Sequence, residues 1–324
     1  MEKFTMSETK VWSGRIDSAD GPAAVRWHQQ VRAPQEDSPA GVSLIGYPCD
    51  LGVYINKGRV GAANGPDEII KALANLPWRL SRPVYDCGNI QWEGELEDAQ
   101  AALANKVFKQ LQAGHNPIVL GGGHDVAWGS FQGLRRHLDQ AAPDKVLGIL
   151  NLDAHFDLRS DSEGASSGTP FQQIAKYCKN TGKPFHYAVF GISEYANTQA
   201  LFDRADKLGV TYLKDTHCGF TQLGPMLRAL DAFLSKVDCL YLTIDLDVLP
   251  AATAPGVSAP AAYGVPLEIV EAMLDAIQRK ALPVLMADIA EYNPTYDIDS
   301  RTARVAARLA ARLAGLLGKP TTKA

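Results

Sequence analysis

Short apolar runs alternate along the chain with longer segments whose apolar positions recur every three or four residues. The runs at 42–47, 83–87, 117–120, 146–152, 186–190, 210–213, 239–246 and 283–289 predict eight strands. Most are rich in Val, Ile and Leu, the pattern of strands covered on both faces. The stretches 66–75, 95–113, 125–138, 170–178, 197–208, 223–235 and 266–279 predict helices between or beside those strands, as crossovers of a parallel sheet. A last helix over 301–317 carries Val305, Leu309, Leu313 and Leu316 as a stripe expected to meet the sheet or a partner. Its Arg301, Arg304, Arg308 and Arg312 form a basic flank, expected to be solvated or to face another subunit. No repeat or Pro/Gly/Ser linker breaks the alternation. One doubly wound α/β domain over 41–324 is expected, preceded by an extension over 1–40.

Composition excludes several classes. The 324 residues hold 32 Lys and Arg against 36 Asp and Glu, a formal charge of −4, which argues against nucleic acid as a partner. With 46% hydrophobic and 21% charged residues the chain can bury a large core. No run approaches the roughly 18 apolar residues of a spanning helix, and the first ten residues lack the apolar centre of a signal peptide. A cytoplasmic protein with no membrane partner is expected. Cys49, Cys87, Cys178, Cys218 and Cys239 show no C-x-x-C spacing, so they are expected to be reduced and mostly buried.

The candidate chemistry lies where strands end. After the run at 146–150, Asp153, His155 and Asp157 stand two residues apart, so in extended chain they project on one side. Burying three such groups unpaired costs several kcal/mol each unless a cation compensates, which favours a metal over a capping network. The run at 239–246 ends in Asp245 and Asp247, again two apart, where like charges repel without a cation between them. The run at 117–120 delivers Gly121, Gly122 and Gly123, which allow close approach and positive φ, and then His124. No G-K-[ST] follows and no G-x-G-x-x-G spacing occurs, so a nucleotide is not indicated. Two histidines and four aspartates, with no thiolate, suit Mn²⁺, and six ligands are too many for one ion. A two-metal site fits the count.

At these residues the sequence resembles the ureohydrolase family, which includes arginases and agmatinases. GGGHD (121–125), DAHFD (153–157) and the run from Asp245 to Pro260 are similar to that family's three metal signatures, in the same order. The resemblance implies a three-layer α/β/α sandwich on a mainly parallel eight-stranded sheet, and two Mn²⁺ per subunit. One ion would be held by His124, Asp153, Asp157 and Asp245, the other by Asp153, His155, Asp245 and Asp247. It also implies that Asp157 relays a proton and that Glu291, in the segment 290–294, binds the substrate's amidinium. Family members often form trimers or hexamers, so a homo-oligomer is expected.

Within the family, WSGRID (12–17), RWHQ (26–29), NKGRVGA (56–62) and GGGHDVAWG (121–129) resemble the formimidoylglutamase branch, with Asp125 where many of its members carry Glu. The substrate this implies, N-formimidoyl-L-glutamate, carries two carboxylates and wants fixed cations. Arg159, two residues beyond Asp157, is the expected carboxylate partner, the competing reading being an ion pair with Asp161 or Glu163. Lys57 and Arg59 are further candidates. Agmatinases carry a His where Ser167 stands, and no His occurs between His155 and His186, which weighs against an arginase or agmatinase activity. The alternative is another ureohydrolase acting on a guanidino acid such as guanidinobutyrate.

Overall fold

The computed structural model describes residues 11–317. The last residues assigned to the domain, and the first ten residues where a signal peptide was sought, lie outside them. Eight strands form one sheet: β1 Val42–Gly46, β2 Val84–Asn89, β3 Asn116–Leu120, β4 Leu147–Leu152, β5 His186–Ile192, β6 Thr211–Lys214, β7 Cys239–Asp245 and β8 Val284–Ala290. All pairs are parallel, in the order β2-β1-β3-β8-β7-β4-β5-β6.

Helices cover both faces, which is why β1, β4 and β7 are buried at every position. One face carries α2 Gly65–Ala74, α7 Leu223–Leu234, α8 Leu267–Lys280 and α9 Arg301–Leu316, and packs Leu44, Ile118, Leu150, Leu242 and Ile289 against Ile69, Leu230, Met273 and Leu309. The other carries α3 Leu96–Gln112, α4 Val126–Ala141, α5 Pro170–Thr181 and α6 Gln199–Leu208, and buries Ile45, Val119, Ile149, Val189 and Met286. The result is the expected three-layer sandwich.

The stripe of α9 faces this core: Leu309, Leu313 and Leu316 are buried, along with Ala303, Ala306, Ala307, Ala310 and Ala314. Its basic flank is partly tied within the chain, since Arg308 and Arg312 pair with Glu271 and Arg312 with Asp275, both on α8. Four of the five cysteines are buried and all five are free thiols.

Residues 11–40 close the β2 edge. Arg32 bridges Tyr85, and its carbonyl accepts Asp86 N–H at 2.8 Å, so the outer strand does not present a bare row of donors. Trp27 is buried and meets Trp78 edge-on at 5.2 Å, while Trp12 Nε1 donates to Asp86 at 2.7 Å. Arg26 binds Asp17 through Nε and Nη2 at 3.0 and 2.7 Å. Both N-terminal signatures therefore serve packing. A short helix, α1 Leu51–Ile55, is an element that periodicity does not predict.

Candidate metal centre

The candidate residues gather at the carboxyl ends of four adjacent strands, β3, β8, β7 and β4. Beyond β3 the three glycines are needed for close approach. A Cβ on Gly122 would stand 1.8 Å from the Cys49 carbonyl oxygen, and one on Gly123 2.6 Å from Asp125 Oδ1. None of the three has positive φ, so that part of the expectation is corrected.

A second correction concerns the segment after β4, which is not extended. Asp153 Oδ1 accepts His155 N–H at 2.7 Å, turning the chain, and Asp157 then takes a left-handed φ of 48°. Convergence of Asp153, His155 and Asp157 comes from this turn and not from strand alternation. Similarly, Asp245 ends β7 and its Oδ1 accepts Asp247 N–H at 2.8 Å, opening a single 3-10 turn over Leu246–Val248.

His124 Nδ1 lies 3.1 Å from Asp153 Oδ2, 2.9 Å from Asp157 Oδ2 and 3.1 Å from Asp245 Oδ2. His155 Nδ1 lies 3.0 Å from Asp247 Oδ2 and 3.6 Å from Asp153 Oδ1. Two groups result, His124–Asp153–Asp157–Asp245 and Asp153–His155–Asp247, with the ligand atoms of each within 4.8 Å of one another. Asp153 belongs to both. In this geometry Asp245 closes with His124, whereas the resemblance also places it in the second set.

The donor atoms fit a cation. His124 Nδ1 is buried and forms no hydrogen bond of acceptable geometry, although three carboxylate oxygens surround it. An imidazole N–H satisfies one oxygen at most, and three carboxylates that close repel one another. A divalent ion among them would satisfy all four groups, and oxygen with imidazole suits Mn²⁺ among the candidates.

Sequence reading missed the residues beneath. His124 Nε2 contacts Thr243 Oγ1 at 2.9 Å, a partner that would keep the ring proton on Nε2 when Nδ1 gives up its own to a cation. Thr243 pairs in register with Asp288 of β8, which is fully buried and also accepts the Tyr241 hydroxyl. Asn151 Nδ2 holds Asp153 Oδ2 at 2.8 Å, and Asn197 accepts Phe156 N–H at 3.1 Å. A signal was available: Thr243 is two residues before Asp245 on one strand, and Asp288 is a lone charge in an apolar run.

Above the cluster opens a cavity of about 300 Å³, whose walls include Asp157, Asp247, Glu291, Arg159 and Lys57. Glu291 follows β8 with φ 65°; its Oε1 accepts His124 N–H at 2.8 Å and its own N–H donates to Gly122 O at 2.8 Å. Left-handed backbone at a non-glycine residue is strained, and here it occurs at two cavity carboxylates, Asp157 and Glu291. Arg159 is exposed on the cavity wall and forms no ion pair among the described residues, while Asp161 is taken by Lys176.

The profile of the Arginase family matches residues 40–315. The chain belongs to the arginase family. It is 97% identical over 324 residues to the formimidoylglutamase of Hahella chejuensis, covering all of both chains. It is 54% identical to that of Aeromonas salmonicida, covering 97% of this chain and 99% of the relative. Among solved structures, the formimidoylglutamase of Bacillus subtilis superposes with a TM-score of 0.81 at 22% identity, covering 95% of each chain. The Trypanosoma cruzi formiminoglutamase with Mn²⁺ gives 0.75 at 28% identity, covering 89% of this chain and 97% of that one.

In this arginase-family site, protonation follows from burial and crowding. Burial raises the Glu291 carboxyl to about 8, and burial with the Asp153 charge raises Asp157 to about 6. Burial and then the charges of Asp247 and Asp153 push Asp245 well up. For His124 burial acts downward, but Asp153, Asp157 and Asp245 outweigh it and hold the imidazole well above its ordinary value. The cluster thus retains protons that a divalent cation would displace.

Proposed function

We propose that this arginase-family hydrolase uses two Mn²⁺ per subunit to cleave the formimidoyl C–N bond of N-formimidoyl-L-glutamate, giving L-glutamate and formamide in histidine degradation. The carrying observation is the cavity's charge layout: carboxylates at its base and the exposed cations Arg159 and Lys57 on its wall. That layout matches a substrate with an amidinium at one end and carboxylates at the other, and the 97% identity to a formimidoylglutamase supports it. A guanidino amine would meet like charge on the wall.

When bound, divalent cations supply Lewis-acid activation of water near neutral pH. His124, Asp153, Asp157 and Asp245 would hold one ion, and Asp153, His155, Asp247 and Asp245 the other. Glu291 accepts charge-assisted hydrogen bonds from the substrate's amidinium N–H groups and fixes the formimidoyl carbon for attack. Asp157 passes a proton to the departing glutamate nitrogen, so that water is divided between the formyl carbon and the amine. Arg159 binds a carboxylate through its planar fork.

The test is product identity. The Mn²⁺-loaded protein is incubated separately with formimidoylglutamate, arginine, agmatine and guanidinobutyrate, and formamide and urea are measured. Formamide from the first alone is expected, whereas urea from guanidinobutyrate with no formamide would overturn the assignment.

The same reading takes 1–40 as an extension on a single domain over 41–324, supported by Trp27 in the core. It also takes the protein as a cytoplasmic homo-oligomer. Exposed Tyr195, Phe220 and Tyr263 offer apolar contact surface, which light scattering would test. Among the described residues no helix is long and apolar enough to cross a membrane.

A further inference from the structure

Three cations line the cavity, Lys57, Arg59 and Arg159, and the substrate read above carries two carboxylates. Arg59 is committed to the protein. Its Nε donates to Ser258 O at 2.8 Å, its Nη2 to Val257 O at 2.5 Å, and its guanidinium lies 3.9 Å from the Tyr296 ring centroid. A guanidinium held by two carbonyls and a ring pins the 257–258 loop and is not free to turn toward a ligand.

Lys57 is placed differently. It stands with φ 62° at the turn that ends α1, where Lys57 N–H donates to Tyr54 O at 2.9 Å and Gly58 N–H to Val53 O at 2.8 Å. The turn is held against both neighbouring loops. Asn56 Nδ2 donates to Ser167 Oγ at 3.2 Å, and a Cβ on Gly58 would stand 2.6 Å from Ser258 Oγ. A left-handed lysine is conformationally costly, and here it occurs at the rim of a cavity. Its side chain is exposed and makes no ion pair among the described residues. Arg159 is likewise exposed and makes no ion pair among the described residues, on the wall formed by the 157–168 segment.

We propose that Lys57 is a specificity residue of the site, binding one of the substrate's two carboxylates while Arg159 binds the other. The inference rests on the function read above and deepens it: two free cations for two carboxylates select a dicarboxylate amidine over substrates with one acidic group. Lys57 acts on binding and orientation and touches neither the amidinium nor the attacking water.

The test compares wild type, Lys57→Gln and Lys57→Arg, all Mn²⁺-loaded and checked for equal melting temperature. The substrates are formimidoylglutamate and its two mono-amides, one blocked at the α-carboxylate and one at the side-chain carboxylate. Lys57→Gln is expected to raise KM for formimidoylglutamate by about tenfold or more with kcat changed less than about twofold, as loss of a hydrogen-bonded charge predicts. Lys57→Arg recovers most of the loss. For one of the two mono-amides, the one lacking the carboxylate that Lys57 holds, the Gln variant and wild type behave alike. An unchanged KM, or an equal penalty with both mono-amides, overturns the role of Lys57 while leaving the function standing. A wild type that releases no formamide from formimidoylglutamate overturns both.

Discussion

Thr243→Val removes one hydroxyl from beneath His124 and keeps the shape of the side chain. In the native chain Thr243 Oγ1 lies 2.9 Å from His124 Nε2, and both residues are buried. The substitution leaves the ring N–H facing a methyl group, and an unpaired buried donor costs about 1–3 kcal/mol. Because volume is conserved, that cost carries no cavity contribution. The hydroxyl also favours the neutral ring with its proton on Nε2, the form in which Nδ1 can ligate a cation. Without it the neutral ring is free to keep its one proton on Nδ1, facing Asp153, Asp157 and Asp245, where it competes with a cation. Loss of such an outer partner weakens metal binding by about 10–100-fold, equal to about 1.4–2.7 kcal/mol. Calorimetric titration of Mn²⁺ into metal-stripped protein, with melting of the same metal-free samples, separates the two effects. The expected result is a lower melting temperature and a Kd raised by at least about tenfold, with Thr243→Ser restoring both. A valine variant that melts lower but binds Mn²⁺ like wild type would refute the orienting role and leave the hydroxyl as packing alone.

Three further outcomes follow from the same geometry. Gly122→Ala should destabilise by more than the usual 1–3 kcal/mol of overpacking, because its Cβ meets the Cys49 carbonyl oxygen at 1.8 Å. It should also lower Mn²⁺ affinity by shifting His124, and a soluble variant with wild-type melting and affinity would contradict this. Metal-free protein should lose stability as pH rises from 5 to 8. Burial holds Asp157 at about 6, Asp125 at about 7 and Glu291 at about 8, against ordinary values of 3.8 for Asp and 4.5 for Glu. The folded state therefore keeps protons that the unfolded chain has released, so this stabilisation is complete at low pH and disappears as each folded pKa is passed. His124 and His155, raised by their carboxylate neighbours, act in the same sense. Since Mn²⁺ needs deprotonated ligands, its stabilising increment should grow over that range. A metal-free melting temperature that climbs from pH 5 to 8 would count against the buried cluster.

The strands were legible because helices on both faces demand continuous apolar runs, and no local choice of Val, Ile or Leu conflicts with that demand. The three groups of candidate ligands were legible because charged side chains at the ends of such runs have no cheap structural role. What escaped depends on distant parts of the chain. Helix α1 has five residues, too few for a period, and packs by a close approach in which a Cβ on Gly52 would meet Asp125 Oδ1 at 2.1 Å. The left-handed turns at Asp157 and Glu291 arise where neighbours overrule local preference, so residue type does not announce them. Thr243 and Asp288 read as ordinary strand residues until register puts them side by side. Arg59 reads as a substrate cation by motif, and only its contacts to Ser258, Val257 and Tyr296 show it committed elsewhere.

The place of β8 in the sheet bears on how the protein comes into being. It is the last strand of the chain, yet it lies between β3 and β7 and joins β2-β1-β3 to β7-β4-β5-β6. His124 belongs to the first part, and the candidate aspartates to the second. During synthesis, therefore, every candidate ligand, the last being Asp247, is made before the strand that joins the two parts. A chain cut short before residue 284 lacks the piece that draws the two parts together. On the two-metal reading proposed above, an ion bound by His124 and the aspartates would therefore join an early part of the sheet to a late one across the strand made last.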